Sequence, residues 1–179
     1  LNLVLAWFFL DETLKVKSTT VQLFPNPFKD IIQFRDIPEV NALFTINFVY
    51  ILGFSMMQIT STLLWAEHFG LSELHIGYTF AYIGVLAVVI QGGLIGYFNT
   101  WFGEKNLLFF GTILVSTGLF SMPFVPTDKF YLELVSMTLL SFGNALLTPT
   151  VSTLLTTYAP GDAQGKILGT NQSVGSLAR

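Results

Sequence analysis

The chain has 179 residues, 52% of them hydrophobic and 11% charged, with a formal net charge of −3. A soluble domain carries roughly 25% charge, whereas here the few charges cluster and leave uncharged apolar runs of about 20 residues, enough to cross a hydrocarbon core of roughly 30 Å. That pattern excludes an ordinary soluble domain. The small net charge, without a basic patch interleaved with aromatics, argues against a nucleic-acid partner, and the absence of cysteine excludes disulfides and thiolate chemistry. The reading is an all-α membrane protein whose first partner is the lipid bilayer.

In chain order, residues 1–10 (LNLVLAWFFL) are too short to span and predict the end of a helix. They lack a basic flank and a small-residue cleavage site, so they are not read as a signal peptide. Residues 11–39 form the one long polar stretch, with Lys15, Lys17, Lys29 and Arg35. Within it Asn26 can cap a short helix that has Pro27 at its first position. Phe28, Ile31, Ile32 and Arg35 then share a face, as in a connector lying on the membrane surface.

Residues 40–179 predict one transmembrane bundle, with full spans over 40–65, 75–98, 106–125 and 130–158. The last contains Pro149, tolerable in a membrane helix because its surroundings re-satisfy the freed backbone. Gly96 to Lys105 (GYFNTWFGEK) reads as a short polar hairpin between the second and third spans. Residues 166–179 predict the start of a further helix that is cut short, so the chain is expected to be a fragment of a longer protein.

Counting Lys and Arg by side predicts the orientation. The linker, the hairpin and the loop before the last helix, with Lys166, hold six basic residues, while the opposite loops hold one, Lys129. The linker and hairpin 99–105 are therefore expected in the cytoplasm, in a multi-pass protein of the plasma (inner) membrane. Trp65, Trp101, Tyr131 and Tyr158 fall near span ends, where an interfacial aromatic belt lies.

The spans differ in polarity. The third is apolar after Asn106 and suits lipid contact. On the first, Asn47 and Gln58 lie eleven residues apart, about three turns, so they share a face that Tyr50, Phe54, Ser61 and Thr62 extend. On the fourth, Ser141, Asn144, Thr148 and Ser152 recur at spacings of three and four. An amide left without a partner in an apolar medium is costly, so these groups should face protein or water. Two readings stay open. The stripes are interhelical hydrogen-bond glue, each bond worth about 0.6 kcal/mol, or they line a polar cavity. Two stripes with none on the third span favour the cavity, whose candidate residues are Asn47, Tyr50, Gln58, Thr62, Asn144 and Thr148.

Gly92 with Gly96, and Gly165 with Gly169 and Ser173, have small-xxx-small spacing and are expected at close helix contacts; Gly77 and Gly84 share a face. His68 and His75 stand at span ends without carboxylates at ligand spacing, so no metal is read. Glu133, within a turn of the membrane boundary, is expected to be solvated. Arg179 lies about 18 Å deep if the last helix enters near Ile167. There it needs an interior partner or a water path, unless the helix starts elsewhere or the side chain snorkels. No nucleophile–base constellation is visible, so no enzyme is read.

Three stretches carry a family resemblance: Leu10-Asp11-Glu12-Thr13, the hairpin 96–105, and Pro160 to Arg179. Together they resemble, in order and spacing, the C-terminal half of a major facilitator superfamily transporter, most nearly the tetracycline-efflux-like drug:proton antiporters. The first is similar to the Leu-Pro-Glu-Ser/Thr closing helix six of that group, with Asp11 in place of Pro. In the hairpin, Gly96, Gly103 and Lys105 match the Gly-x-x-x-Asp-Arg-x-Gly-Arg-Lys motif, while Thr100, Trp101 and Glu104 replace its Asp and two of its Arg. In the third stretch, Gln164-Gly165, Gly169, Gln172-Ser173 and Leu177-Ala178-Arg179 are similar to helix eleven.

The resemblance implies a major facilitator type helical bundle. Residues 1–10 would end helix six, the four spans would be helices seven to ten, and 166–179 would begin helix eleven. It also implies that seven and ten line a central cavity while nine faces lipid. The implied function is secondary active transport by alternating access, as proton-coupled efflux of small amphiphilic molecules or drugs. The N-terminal half of the same polypeptide would be its partner, and no cofactor is needed. Gly96, Gly103 and Lys105 would then shape a cytoplasmic hinge or gating loop, and Arg179 would be a coupling or gating charge. A sugar or metabolite importer on the same fold, and a pore-forming or scaffold subunit, stay open as alternatives.

Overall fold

A computed structural model describes residues 32–34, 36–161 and 163–179. The helix end expected over 1–10 and the linker helix expected to start at Asn26 and Pro27 lie outside the described residues. Four helices are long and apolar enough to cross a membrane: α1 (Pro38–Glu67), α2 (Glu73–Phe102), α3 (Glu104–Phe124) and α4 (Phe130–Tyr158). The shorter α5 spans Gln164–Leu177, and no strand occurs among the described residues. Pro38 opens α1, where a missing N–H costs nothing. Glu39, Glu73 and Glu104 stand in the first turns of α1, α2 and α3, against the positive end of each helix dipole.

Between α2 and α3 the connection is far tighter than the expected ten-residue hairpin. α2 continues to Phe102, with a π-helical turn at Ile90–Leu94, and α3 begins at Glu104. Gly103 alone breaks the helix, at φ 72° and ψ 159°, a backbone conformation that suits glycine and strains other residues. Its N–H bonds to the Asn99 carbonyl at 3.0 Å and its carbonyl accepts from Leu107 at 3.1 Å, so one residue closes α2 and opens α3. Gly96, expected in the turn, lies inside α2. The polar residues there are absorbed locally: the Thr100 hydroxyl donates to the Tyr97 carbonyl at 2.8 Å and Asn106 Nδ2 to the Phe102 carbonyl at 2.9 Å.

α4 is the centre of the bundle, touching α1, α2, α3 and α5. It stays helical through Pro149, and its buried residues run from Glu133 to Leu155. Its most extensive contact is with α3. A Cβ on Gly143 would lie 2.7 Å from the Gly111 carbonyl oxygen and the Val115 nitrogen, and one on Gly118 would lie 2.9 Å from backbone atoms of Ser136 and Leu140.

These glycines, with Gly111, make the close approach. The glycines expected to do so do not: at Gly92, Gly96, Gly165 and Gly169 an added Cβ would meet no atom within 4 Å among the described residues, and Gly77 and Gly84, which share a face, are equally open. Spacing makes close approach available, but the packed arrangement decides where it is used. α3 buries the stripe Leu107, Gly111, Val115 and Gly118. Its other faces expose Phe109, Phe110, Ile113 and Phe120, so the lipid-like character belongs to part of this helix while one face forms the tightest seam.

Two apolar clusters bracket the bundle along α1 and α4. One holds Val40, Phe44, Leu147, Val151, Leu155 and Ile167. The other holds Trp65, Ile76, Met122, Met137 and Leu140. The polar residues of the α1 stripe fall between them in sequence, as do Ser141 and Asn144 of α4, while Thr148 and Ser152 alternate with Leu147 and Val151.

Candidate functional site, a polar cavity between three helices

α1, α4 and the α5 region enclose a cavity of about 480 Å³. From α1 come Asn47, Tyr50, Ile51, Phe54, Ser55 and Gln58; from α4, Asn144, Thr148 and Ser152; and from α5, Asn171 and Gln172, with Arg179 just beyond its end. The α1 residues recur at three to four positions, which is why one face supplies them all. A larger groove of about 570 Å³ runs between α1 and α3, but Met56, Met57, Leu63, Leu64 and Leu119 dominate its wall. Its polar residues, Thr60, Ser61, Glu67 and His68, are outnumbered by apolar ones, whereas polar groups predominate around the smaller cavity, which is therefore the candidate site.

The two readings of the stripes divide by residue. Asn47 Nδ2 donates to Asn171 Oδ1 at 2.8 Å in a buried bond that ties α1 to α5. Asn144 Oδ1 accepts from the Tyr50 hydroxyl and, at 3.1 Å, from the Thr148 hydroxyl. These pairs act as interhelical or local glue. The side chains of Gln58 and Gln172 are exposed and, with Arg179, make no hydrogen bond among the described residues, so they remain available to a cavity ligand.

Thr62 lies outside the cavity. Beyond Gln58 the buried stripe continues to Ser61 and Trp65, leaving Thr62 exposed on its flank. Asn171 and Gln172 were not among the sequence candidates as cavity residues. The available signal was a pair of adjacent amides in a stretch, 167–177, otherwise made of small and apolar residues.

The hinge candidates are elsewhere. Gly96 lines a separate recess of about 200 Å³ with Asn99, Glu104 and Pro149. Lys105 Nζ stands 6.0 Å from the centre of the Tyr158 ring, a cation–π contact joining the start of α3 to the end of α4. Gly96, Gly103 and Lys105 are absent from the polar cavity's lining. His68 and His75 are taken up by bonds of their own, His68 Nε2 lying 3.1 Å from the carbonyl of Val125, 57 positions away just after α3, and His75 Nδ1 2.7 Å from the neighbouring Ser72 hydroxyl.

Glu133 corrects the sequence expectation. It is fully buried, not solvated, and its Oε1 accepts from Trp65 Nε1 at 2.8 Å. Nearness to a helix start does not expose a side chain when a large aromatic from the neighbouring helix covers it.

Four membrane-length helices packed together, two of them lining a polar, ligand-sized cavity, are the architecture of a polytopic helical membrane protein. The chain matches the family model of the Major Facilitator Superfamily over residues 1–179 and belongs to that family. It is therefore a secondary transporter sequence, an integral membrane protein of a class that moves small molecules across a bilayer. No curated protein and no solved structure matches it.

Proposed function

We propose that this chain is the C-terminal half of a transporter that exports small amphiphilic molecules by alternating access, coupled to protons. The polar cavity between α1, α4 and α5 would be its substrate-contact surface. The observation that carries this reading is the mixture in the cavity wall: a fixed Tyr50–Asn144–Thr148 network beside Gln58 and Gln172 with unspent hydrogen-bonding groups. A preformed frame with a few free polar groups among Ile51 and Phe54 suits a ligand that is partly apolar and partly polar.

Asn47 holds the frame through Asn171, while Tyr50, Gln58, Asn144 and Thr148 contact substrate. Arg179 contributes a fixed positive charge to the wall and would act as a coupling or gating charge by attracting an anionic group. Gly103 and Lys105 act at the α2–α3 turn, placed on the cytoplasmic side by the excess of basic residues there. Export and proton coupling are supported by the similarity of residues 10–13 and 160–179 to the drug:proton antiporters.

The test is flux in the full-length protein reconstituted in liposomes. Gln58→Ala and Asn144→Ala should each raise KM or lower kcat for the transported compound; if both leave the kinetics unchanged, the cavity assignment is dropped. Transport should saturate and respond to an imposed pH gradient, whereas a pore would conduct without saturation and an importer would run the gradient the other way. For sidedness, single cysteines at Asp128 and Asp162 should react with an impermeant thiol reagent from opposite faces. Equal labelling from one face would sink the topology.

A further inference from the structure

Most serines and threonines in these helices donate their hydroxyl to a carbonyl one turn back, as Thr138 does to Leu134 at 2.7 Å and Thr150 to Leu146 at 2.6 Å. Ser141 does not; it is 2% exposed and its hydroxyl has no partner. The other buried side-chain atom without a partner among the described residues is Glu133 Oε2. Both residues belong to α4, eight positions and about 80° apart around the helix, so they share a side.

Beside Ser141 lies a small cavity of about 80 Å³, whose polar lining is Gln58, Ser61, Ser141 and Asn144. It shares Phe54, Gln58 and Asn144 with the main cavity, so it continues that cavity as a branch. The branch reaches Trp65, whose indole N–H is bonded to Glu133. Its volume admits about two waters, and its four polar side chains are the number a buried water needs. Water there would give Ser141 its missing partner.

We propose that Glu133 is a proton-exchanging site joined to the polar cavity by this hydrated branch, with Trp65 as the positioning residue between them. Oε2 needs a partner in either form, because an ionised oxygen accepts and a protonated one donates. The first turn of α4 offers the positive end of the helix to an anion, while complete burial penalises any charge. Opposed demands on one carboxyl suit a group that changes form. Glu133 does not itself line the branch, so exchange takes place while Trp65 is displaced: a hydronium in the branch loses an O–H bond as one forms at the carboxylate, leaving water, and the reverse step returns the proton to water.

The titratable group whose charge bears on Glu133 is His68, the residue just past the end of α1. α2 and α3 bring the apolar Ile76 and Met122 to the Trp65 cluster. His68 is thus the competing source of any pH response and must be separated from Glu133. Only the use made of the proton rests on the transporter reading.

The experiment uses the full-length protein in liposomes with every tryptophan except Trp65 replaced by Phe. Trp65 emission should follow a one-proton titration that Glu133→Gln abolishes and His68→Gln retains. A titration that survives Glu133→Gln, or one lost in His68→Gln, overturns the proposal. Should Glu133→Gln fail to insert, the infrared carboxyl stretch decides. Trp65→Phe should move its titration midpoint by about one pH unit or more, a tenfold change in proton affinity, and an unmoved midpoint overturns the proposal. The two readings fail separately. Saturable flux with a flat Trp65 signal ends the proton site and leaves the transporter, while a titrating Trp65 without saturable flux does the reverse.

Discussion

α4 shows two different ways of joining helices in an apolar medium. Towards α3 it presents Gly143, with Ser136 and Leu140 against Gly118, and the backbones meet with no room for an added methyl. Towards α1 and α5 it presents Ser141, Asn144, Thr148 and Ser152, and the helices stand apart around a cavity. Lipid tails are as apolar as leucine, so burying apolar surface gives no drive to associate and helices gain instead by close packing or by interhelical hydrogen bonds. A side with amides cannot pack backbone to backbone, and the space it leaves is where a ligand or water goes. The seam holds the bundle, and the open side is free to work.

The largest effect should come from filling the seam. Gly143→Leu must displace the backbone of Gly111 and Val115, an overpacking loss of about 3 kcal/mol or more. It should be read as a much reduced Tm and folded yield in detergent. An unchanged Tm would mean that the seam is not what holds α3 to α4.

On the open side, Asn47→Leu leaves the buried Asn171 without its donor and should lower stability by about 1–3 kcal/mol. The double variant Asn47→Leu with Asn171→Leu should recover part of that loss in a thermal-unfolding cycle. Additive losses would show that the two amides do not depend on one another.

Tyr50→Phe should act on transport more than on stability. It removes one of the two donors to Asn144, a change of about 1 kcal/mol, expected as a several-fold shift in KM with Tm nearly unchanged. A large drop in Tm with normal KM would move Tyr50 from the working side to the framework.

The smallest effects belong to glycines that only their spacing singled out. Gly96→Ala, inside α2 with open space around it, should be neutral or stabilise by up to about 1 kcal/mol through helix propensity. A marked loss of stability would reveal a close contact at that face. Thr62→Ala, exposed beside the buried stripe, should leave flux and Tm within error.

Much of this was legible in the sequence because membrane spans are long, local and compositionally extreme. The expected spans and the helices differ mainly by a turn at their ends. The amides were informative for a related reason: Asn47 and Asn144 each carry a carbonyl and an NH2, more than one helix fully satisfies, and so signalled a partner or water. Hydroxyls were poor guides, since Thr60, Thr112 and Thr153 bond back to their own helix and leave no trace of what they face. Thr62 entered the candidates on that account.

Local chemistry written along the chain determined the membrane class, the helices and the two polar stripes, because each depends on neighbours one or two turns away. Three matters were left to the tertiary structure. Which glycines touch depends on the rotation of one helix against another, which spacing does not state. How the amides divide between frame and free wall depends on the third helix, α5, whose Asn171 takes up Asn47. The fate of Glu133 depends on Trp65, 68 positions away in sequence, because burial is set by what packs over a side chain and not by where it stands in its own helix.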